Sequence, residues 1–261
     1  MAERYSRRDQ SLYDADSLNQ ARGNVSTKGV RHVSIKTVLI TGGATGIGCQ
    51  TAKKFKEQGY QIIIADIHPC DEEPDLYIQA DLTNPHDMNA IVKHIDRLDV
   101  LVNCAGVNLQ EKEWELAGFE KSMAINCNAV FDLSTRLIDL LSETSGAIIN
   151  IASMWSYFGS PKSPGYSASK GAIVALTRTM AVAWAEKGVR TNAVAPGWVN
   201  TNMTVAARAD AQRFEQISSR IPMKRWADAK EVASVIYFLA SVEASYVNGA
   251  VIPVDGGYMA G

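Results

Sequence analysis

Residues 34–60 read SIKTVLITGGATGIGCQTAKKFKEQGY, and the fold follows from this stretch. Its first part, Ser34–Thr41, is short, apolar and β-branched, the pattern of a buried strand. TGGATGIG (Thr41–Gly48) follows at once, and CQTAKKFKEQGY (Cys49–Tyr60) then repeats apolar residues at helical spacing. Strand, glycine turn and helix in immediate succession are the context in which a glycine-rich loop binds a dinucleotide. Gly42 permits the sharp turn out of the strand. Gly46 and Gly48 let backbone approach a diphosphate and pack close to the sheet. Thr45 and Ile47 complete the expected cradle, and the helix N-terminus offers N–H groups and partial positive charge to phosphates.

Downstream segments extend the pattern. QIIIAD is a second strand ending in Asp66, about twenty residues past the glycines, where a carboxylate accepts hydrogen bonds from the adenosine ribose and repels a 2′-phosphate. No Arg or Lys occurs between Gly59 and Lys93, so NAD is expected rather than NADP. The link to the next strand, DLYIQAD, carries Pro69 and Pro74 and is too short for a long helix. Asp81 and Leu82 close that strand, facing the adenine. NPHDMNAIVKHIDRL is a helix with Asn84 as N-cap and Pro85 at its first position. DVLVNCAG is another buried strand, whose end at Asn103, Ala105 and Gly106 allows close backbone approach to a ligand. GFEKSMAINCNAVFDLSTRLIDLLSET is one long helix with Asn126 inside it. Asparagine disfavours a helix interior, so Asn126 is either a surface residue or a buried polar group with a purpose.

SGAIINIAS is the fifth strand, and Ser153 stands at its C-terminal end, where open α/β sheets bind ligands. Tyr166 and Lys170 follow at i,i+4, one turn apart on one helix face. That helix, GYSASKGAIVALTRTMAVAWAEKG, ends at Gly188. A nearby ammonium favours phenolate, and a phenol tuned toward working pH can exchange a proton with an alcohol or a carbonyl. An ordinary surface pair is the alternative for Tyr166 and Lys170. VRTNAVAPG is the sixth strand, ending in Pro196 and Gly197. Residues 200–222 read as a mobile helical lid, followed by the helix KEVASVIYFLASVEAS and the final strand AVIPVDGG. Alternating strands and helices imply an α/β, doubly wound parallel sheet with helices on both faces.

Composition bounds the function. The chain has 261 residues, 46% hydrophobic and 21% charged, with a net charge of −2. That charge argues against a nucleic-acid binder with a basic surface, and no apolar run reaches the length of a membrane span. Cys49, Cys70, Cys104 and Cys127 show no CxxC or Cys/His spacing, so no metal site is expected. The polar N-terminus has no signal-like apolar segment, and a reducing cytoplasmic setting fits. Residues 1–30 form a polar arm, expected to be flexible or to pack on a neighbouring subunit through Tyr5, Leu12 and Tyr13. Residues 31–261 are expected to form one domain.

Taken in order, TGGATGIG, NCAG, Asn126, Ser153, YSASK, PGWVNT and VDGG make the chain resemble the short-chain dehydrogenase/reductase family over Lys36–Gly257. The resemblance implies a seven-stranded Rossmann-type sheet and hydride transfer between NAD and a secondary alcohol or ketone. It implies Tyr166 as general acid/base, Ser153 on the substrate oxygen, and Lys170 on the nicotinamide ribose while lowering the tyrosine pKa. Asn126 would hold a relay water, and Val199 and Thr201 after Pro196-Gly197 would meet the nicotinamide. A 3-oxoacyl thioester reductase and a catalytically silent cofactor-binding scaffold remain alternatives. Trp155, Tyr157, Phe158, Trp198 and Met203 are candidate pocket walls, and Arg208, Arg213 or Arg220 a candidate contact for an anionic group. Relatives of this kind are commonly tetramers. Ile173, Leu176, Met180 and Trp184, with the chain end VDGGYMAG, are the expected interface for a homotetramer.

Overall fold

The strand runs take up the core because each is apolar on both faces. In a computed structural model, which describes residues 35–70 and 73–261, β1 (Thr37–Thr41) is buried at every position. Val38 and Ile40 point to one side of the sheet and Leu39 to the other, the period-2 alternation of a strand covered twice. β2 (Gln61–Asp66), β3 (Leu76–Gln79), β4 (Val100–Asn103), β5 (Ala147–Ile151), β6 (Arg190–Pro196) and a last strand, Val251–Val254, join it. All pair in parallel, in the order β3-β2-β1-β4-β5-β6-last strand.

One face is covered by α1 (Gly46–Glu57), through Ala52 and Phe55, and by a C-terminal helix (Ala229–Ala240), through Val232, Ile236 and Leu239. The other is covered by α2 (Pro85–Lys93), through Met88 and Ile91, and by Leu133, Leu137 and Leu141 of a long helix. The direction of winding reverses between β1 and β4, and the crevice at such a switch point is where open sheets bind ligands. The Asn84 side chain accepts from the His86 N–H at 2.9 Å, with Pro85 in the first turn, as the sequence predicts. Among the described residues no helix lies between β2 and β3. The expectations for the arm at 1–30 lie outside the described residues.

Several boundaries differ from expectation. The long helix is three pieces: α3 (Leu116–Met123), a π turn (Ala124–Asn128) and α4 (Ala129–Glu143). The helix of Tyr166 is α5 (Pro164–Ala183); a separate 3-10 turn (Ala185–Lys187) leads to Gly188, which takes φ 77°. α2 stops at Lys93, and β3 stops two residues short of Asp81. The lid contains α6 (Val205–Ala209) and α7 (Ala211–Arg220). It is flanked by an unforeseen parallel pair, β7 (Val199–Asn200) with β8 (Ala227–Asp228). The C-terminal helix and strand are hereafter α8 and β9.

The residues expected at an interface are used within the chain. Ile173 and Met180 are buried, Leu176 packs on the α5 core, and Trp184 packs on the opposite core. In the chain end VDGGYMAG, Tyr258 is buried among Met154, Ile217 and Trp226, while Ala260 and Gly261 are exposed. Helical spacing identifies an apolar stripe but cannot say whether it faces its own sheet or a partner.

Candidate active site

The C-terminal ends of β1 and β4 are tied together by one hydroxyl. Thr41 Oγ1 accepts from the N–H groups of Cys104 and Ala105 at 3.1 and 3.2 Å. Contact this close requires glycine opposite: a Cβ on Gly42 would fall 2.6 Å from the Ala105 Cα, and φ there is +67°. A Cβ on Gly48 would fall 2.1 Å from the Gly42 carbonyl oxygen. The loop therefore lies flat on the sheet, as a dinucleotide site requires. Thr45 is the N-cap of α1, but its side chain makes no capping bond, and no acid occupies the first turn. A helix start without its own anion or cap is available to phosphate. The methyl of Thr201 stands over Gly46, 3.4 Å from where a Cβ would be. Asp66 is buried at the end of β2, and its carboxylate accepts from the Ala44 N–H of the loop and from the His68 N–H, both at 3.0 Å. These residues fit a nicotinamide dinucleotide: the glycines let the loop pack directly on backbone, and the uncapped start of α1 offers N–H donors that suit phosphate.

The other expected contacts are held in different ways. Asn103 Nδ2 donates to Ser134 Oγ (3.1 Å) and Asn150 Oδ1 (2.9 Å), so its side chain is a core pin across β4 and β5. Leu82 packs partly into the core under α2. Asp81 is exposed, and its carboxylate is lowered in pKa by hydrogen bonds from Thr83. Gly197 lies against the chain end, 2.7 Å from the Asp255 Cβ by the same Cβ construction.

The second half of the site is buried. Ser153, Tyr166, Lys170 and Asn126 are 5%, 8%, 4% and 0% exposed, which rules out an ordinary surface pair for the tyrosine and lysine. Lys170 Nζ donates to the Ile151 carbonyl at 2.6 Å and lies 5.7 Å from the centre of the Tyr166 ring. Burial lowers the Lys170 pKa to about 8, opposed by Cys104 and Cys127. Burial raises that of Tyr166 to about 12, opposed by a hydrogen bond with Ser153 and reinforced by Glu113 and Cys104. In the protein alone, desolvation of the phenolate outweighs the favourable hydrogen bond with Ser153. Gly106 keeps the approach to Lys170 open, since a Cβ there would meet Asn126 Oδ1 at 3.2 Å and Lys170 Nζ at 3.6 Å.

Asn126 sits in the π turn, a local widening found often at functional sites. Its Oδ1 accepts from Val107 N (2.8 Å), and its Nδ2 donates to Val107 O (2.9 Å) and Ser169 Oγ (3.0 Å). One amide hydrogen thus pins the loop after β4, and the other ties the π turn to α5. Two residues that sequence reasoning missed hold this architecture, Thr41 and Glu113. Thr41 could have been suspected as the hydroxyl entering the glycine turn. Glu113 lies in the charged run QEKEW and carries no local signal.

An aromatic cluster is built from residues that follow Ser153 and from the segments after β6 and β9. Trp155 meets Phe158 at 5.2 Å and Trp198 at 6.4 Å, and Phe158 stacks on Tyr258 at 6.0 Å. Tyr157 and Met203 are about half exposed. The Arg220 guanidinium lies 4.7 Å from the centre of the Tyr258 ring, and Arg208 donates to the Thr201 carbonyl at 3.0 Å. A cavity of about 380 Å³ opens beside α7, lined by Asn200, Phe214, Ser218 and Trp226; Ser153, Tyr166 and Lys170 do not line it. Among the described residues no group of three His, Cys, Asp or Glu is placed to hold a metal, and no helix is long and apolar enough to cross a membrane.

Comparison with known proteins agrees with this geometry. The family model described as enoyl-(acyl carrier protein) reductase matches residues 42–259. The 2-dehydro-3-deoxy-D-gluconate 5-dehydrogenase of Bacillus subtilis is 36% identical over 241 residues, 86% of this chain and 94% of that protein. The 3-oxoacyl-[acyl-carrier-protein] reductase of Thermotoga maritima is 34% identical over 246 residues, 85% and 97% of the two chains. Among solved structures, an NADP-bound candidate 2-deoxy-D-gluconate 3-dehydrogenase from Agrobacterium tumefaciens aligns with a TM-score of 0.80 at 32% identity, covering 87% of this chain and 97% of that one. The chain belongs to the short-chain dehydrogenase/reductase family.

Proposed function

We propose that this oxidoreductase is an NAD-dependent dehydrogenase of secondary alcohols in which Tyr166 exchanges the hydroxyl proton. The observation that carries the reading is the buried Ser153–Tyr166–Lys170 cluster, reached past Gly106 from the glycine-loop side. A bound nicotinamide supplies the hydride acceptor, and the protein supplies position and proton transfer. Ser153, at hydrogen-bonding reach of the phenol, orients the substrate oxygen. Lys170 is held by the Ile151 carbonyl with further N–H groups left to donate, one suited to the nicotinamide ribose. Asn126 fixes the loop that leads to Gly106. With Tyr166 shifted up to about 12, the phenol of the protein alone is protonated at neutral pH. It is then ready to donate to a carbonyl and must lose its proton before it can oxidise an alcohol.

NAD is preferred because the buried Asp66 carboxylate stands where a 2′-phosphate would go, and no cation is placed between Gly59 and Lys93 to receive that phosphate. The lid at 200–222 closes over the substrate in this reading, and the setting is cytoplasmic. The assembly is a homotetramer. Its surfaces are the exposed Phe131 and Val182 on α4 and α5, and Phe238, Val242 and Tyr246 around the end of α8, in place of the stripe read from sequence. Light scattering that gives a stable single-chain mass would end this part of the reading.

The test of function is purified protein with NAD and NADP against secondary alcohols, sugar acids among them, and against 3-oxoacyl thioesters. The proposal expects alcohol oxidation with NAD. Reduction of thioesters with NADPH as the faster reaction would contradict it, and cofactor binding without turnover would leave a scaffold.

A further inference from the structure

The loop between β4 and α3 carries a carboxylate for which the reaction above has no use. Glu113 lies in a 3-10 turn (Gln110–Trp114) whose other residues are exposed, yet it is 2% exposed. Glu111, two residues earlier, turns outward to Lys162 at 3.2 Å. Glu113 turns inward. Its Oε1 accepts from Leu109 N and Ser122 Oγ, both at 2.8 Å, and its Oε2 accepts from Tyr166 N at 2.7 Å. Three donors suit an acceptor-only carboxylate, and buried charge is tolerated when it is bonded in this way.

The bond to Tyr166 falls at a defined place in the helix. α5 begins at Pro164, so Tyr166 is its third residue, and its N–H is one that an N-cap side chain ordinarily satisfies. Ser163 is the N-cap but makes no such bond. Its hydroxyl donates to Asn108 Oδ1 at 2.9 Å instead. Glu113 supplies the missing cap from a point 53 residues away. Neighbouring contacts make the joint rigid: Trp114 Nε1 donates to the Pro161 carbonyl at 3.2 Å, and the bare face of Gly165 lets Phe119 approach to 3.1 Å of a would-be Cβ.

We propose that Glu113 is a positioning residue for proton transfer: it caps α5 from outside the helix through the Tyr166 N–H and so sets where the phenol stands against Ser153. This rests on the role given to Tyr166 above. The negative charge that holds the backbone of Tyr166 also disfavours its phenolate. The other groups facing that phenol are Ser153, Cys104 and Lys170.

The experiment compares wild type with Glu113→Gln, which keeps an acceptor for the N–H and removes the charge. Tyrosine ring-carbon NMR, with the Tyr166 signal identified by its loss in Tyr166→Phe, follows ionisation of the phenol without cofactor or turnover. In Glu113→Gln the signal titrates at lower pH than in wild type, and kcat for ketone reduction, which draws on a phenol protonated in both proteins at neutral pH, falls about tenfold, the loss expected where a charge-assisted hydrogen bond becomes a neutral one, with cofactor affinity unchanged. Superimposable titrations with unchanged kcat per cofactor-binding site would overturn the proposal. If Glu113→Gln does not fold, Ser122→Ala keeps the charge and removes one of its three anchors. The expected result is then a severalfold lower kcat with an unmoved titration, and an unchanged kcat would overturn the proposal. A wild type that oxidises no alcohol would end the functional reading, while the titration would still decide the placement of Glu113.

Discussion

The floor and the roof of the site are built differently. On the floor, Thr41, Asp66, Asn126 and Lys170 are buried, and each is bonded to backbone of the loops that shape the cleft. On the roof, Trp226 stacks on Phe214 and lies tilted against Trp198, with ring centres 5.3 and 5.1 Å apart, and the indole N–H of Trp198 is buried with no partner among the described residues. Buried, bonded polar groups hold one geometry, since breaking any bond leaves an unpaired group. Stacked rings tolerate sliding and substitution. In the proposed function the floor fixes the chemistry, and the ring cluster is the part left to set which alcohol enters.

The pH dependence should show the floor most strongly. Because burial raises the Tyr166 pKa, phenolate is scarce at neutral pH and grows as pH rises. Alcohol oxidation should climb toward about tenfold per pH unit. The climb should flatten above about 8, where Lys170 loses its proton and ceases to support the phenolate. Ketone reduction, which uses the protonated phenol, should show no such rise. An oxidation rate flat from neutral to alkaline pH would mean that Tyr166 is not the titrating group.

Asp66→Ala should shift the ratio of NAD to NADP efficiency by about tenfold or more toward NADP, the scale of losing hydrogen bonds to a charged group. A wild type that already favours NADP would refute the role of Asp66. Gly106→Ala should weaken cofactor affinity about tenfold, since its Cβ would crowd Asn126 and Lys170. Calorimetry showing unchanged affinity would place the cofactor elsewhere. Trp198→Phe, on the roof, should leave cofactor affinity alone and change the substrate KM only about threefold, since the indole N–H has no partner to lose and only packing changes. Equal effects on cofactor and substrate would erase the distinction between floor and roof.

The same division marks what sequence could reveal. The strands TVLIT, QIIIAD, VLVN and AIINI are apolar on both faces, and the glycine loop follows one of them directly, so sheet and cradle were legible from short-range pattern. Tyr166 and Lys170 were legible because i,i+4 spacing on a helix is a local property. The π turn at Asn126 was not, because one extra residue in a turn leaves the apolar spacing of residues 118–144 intact. Glu113 was invisible because its partner Tyr166 is brought to it only by the fold. Ile173 and Met180 misled for the opposite reason: their spacing is that of a buried stripe whether the cover is the chain's own sheet or a second copy. The pKa of Tyr166 depended on burial, which spacing does not report.

The central claim is that Tyr166 carries the proton in a reaction on bound alcohol. The most direct measurement is the turnover of Tyr166→Phe with saturating NAD, beside the affinity of the same variant for NAD. The ring and its packing stay, and the exchangeable proton goes. Turnover should fall by at least about 10²-fold, the lower end for general acid/base catalysis, while affinity for NAD stays at the wild-type value. Turnover near wild type, with NAD bound as before, would contradict it.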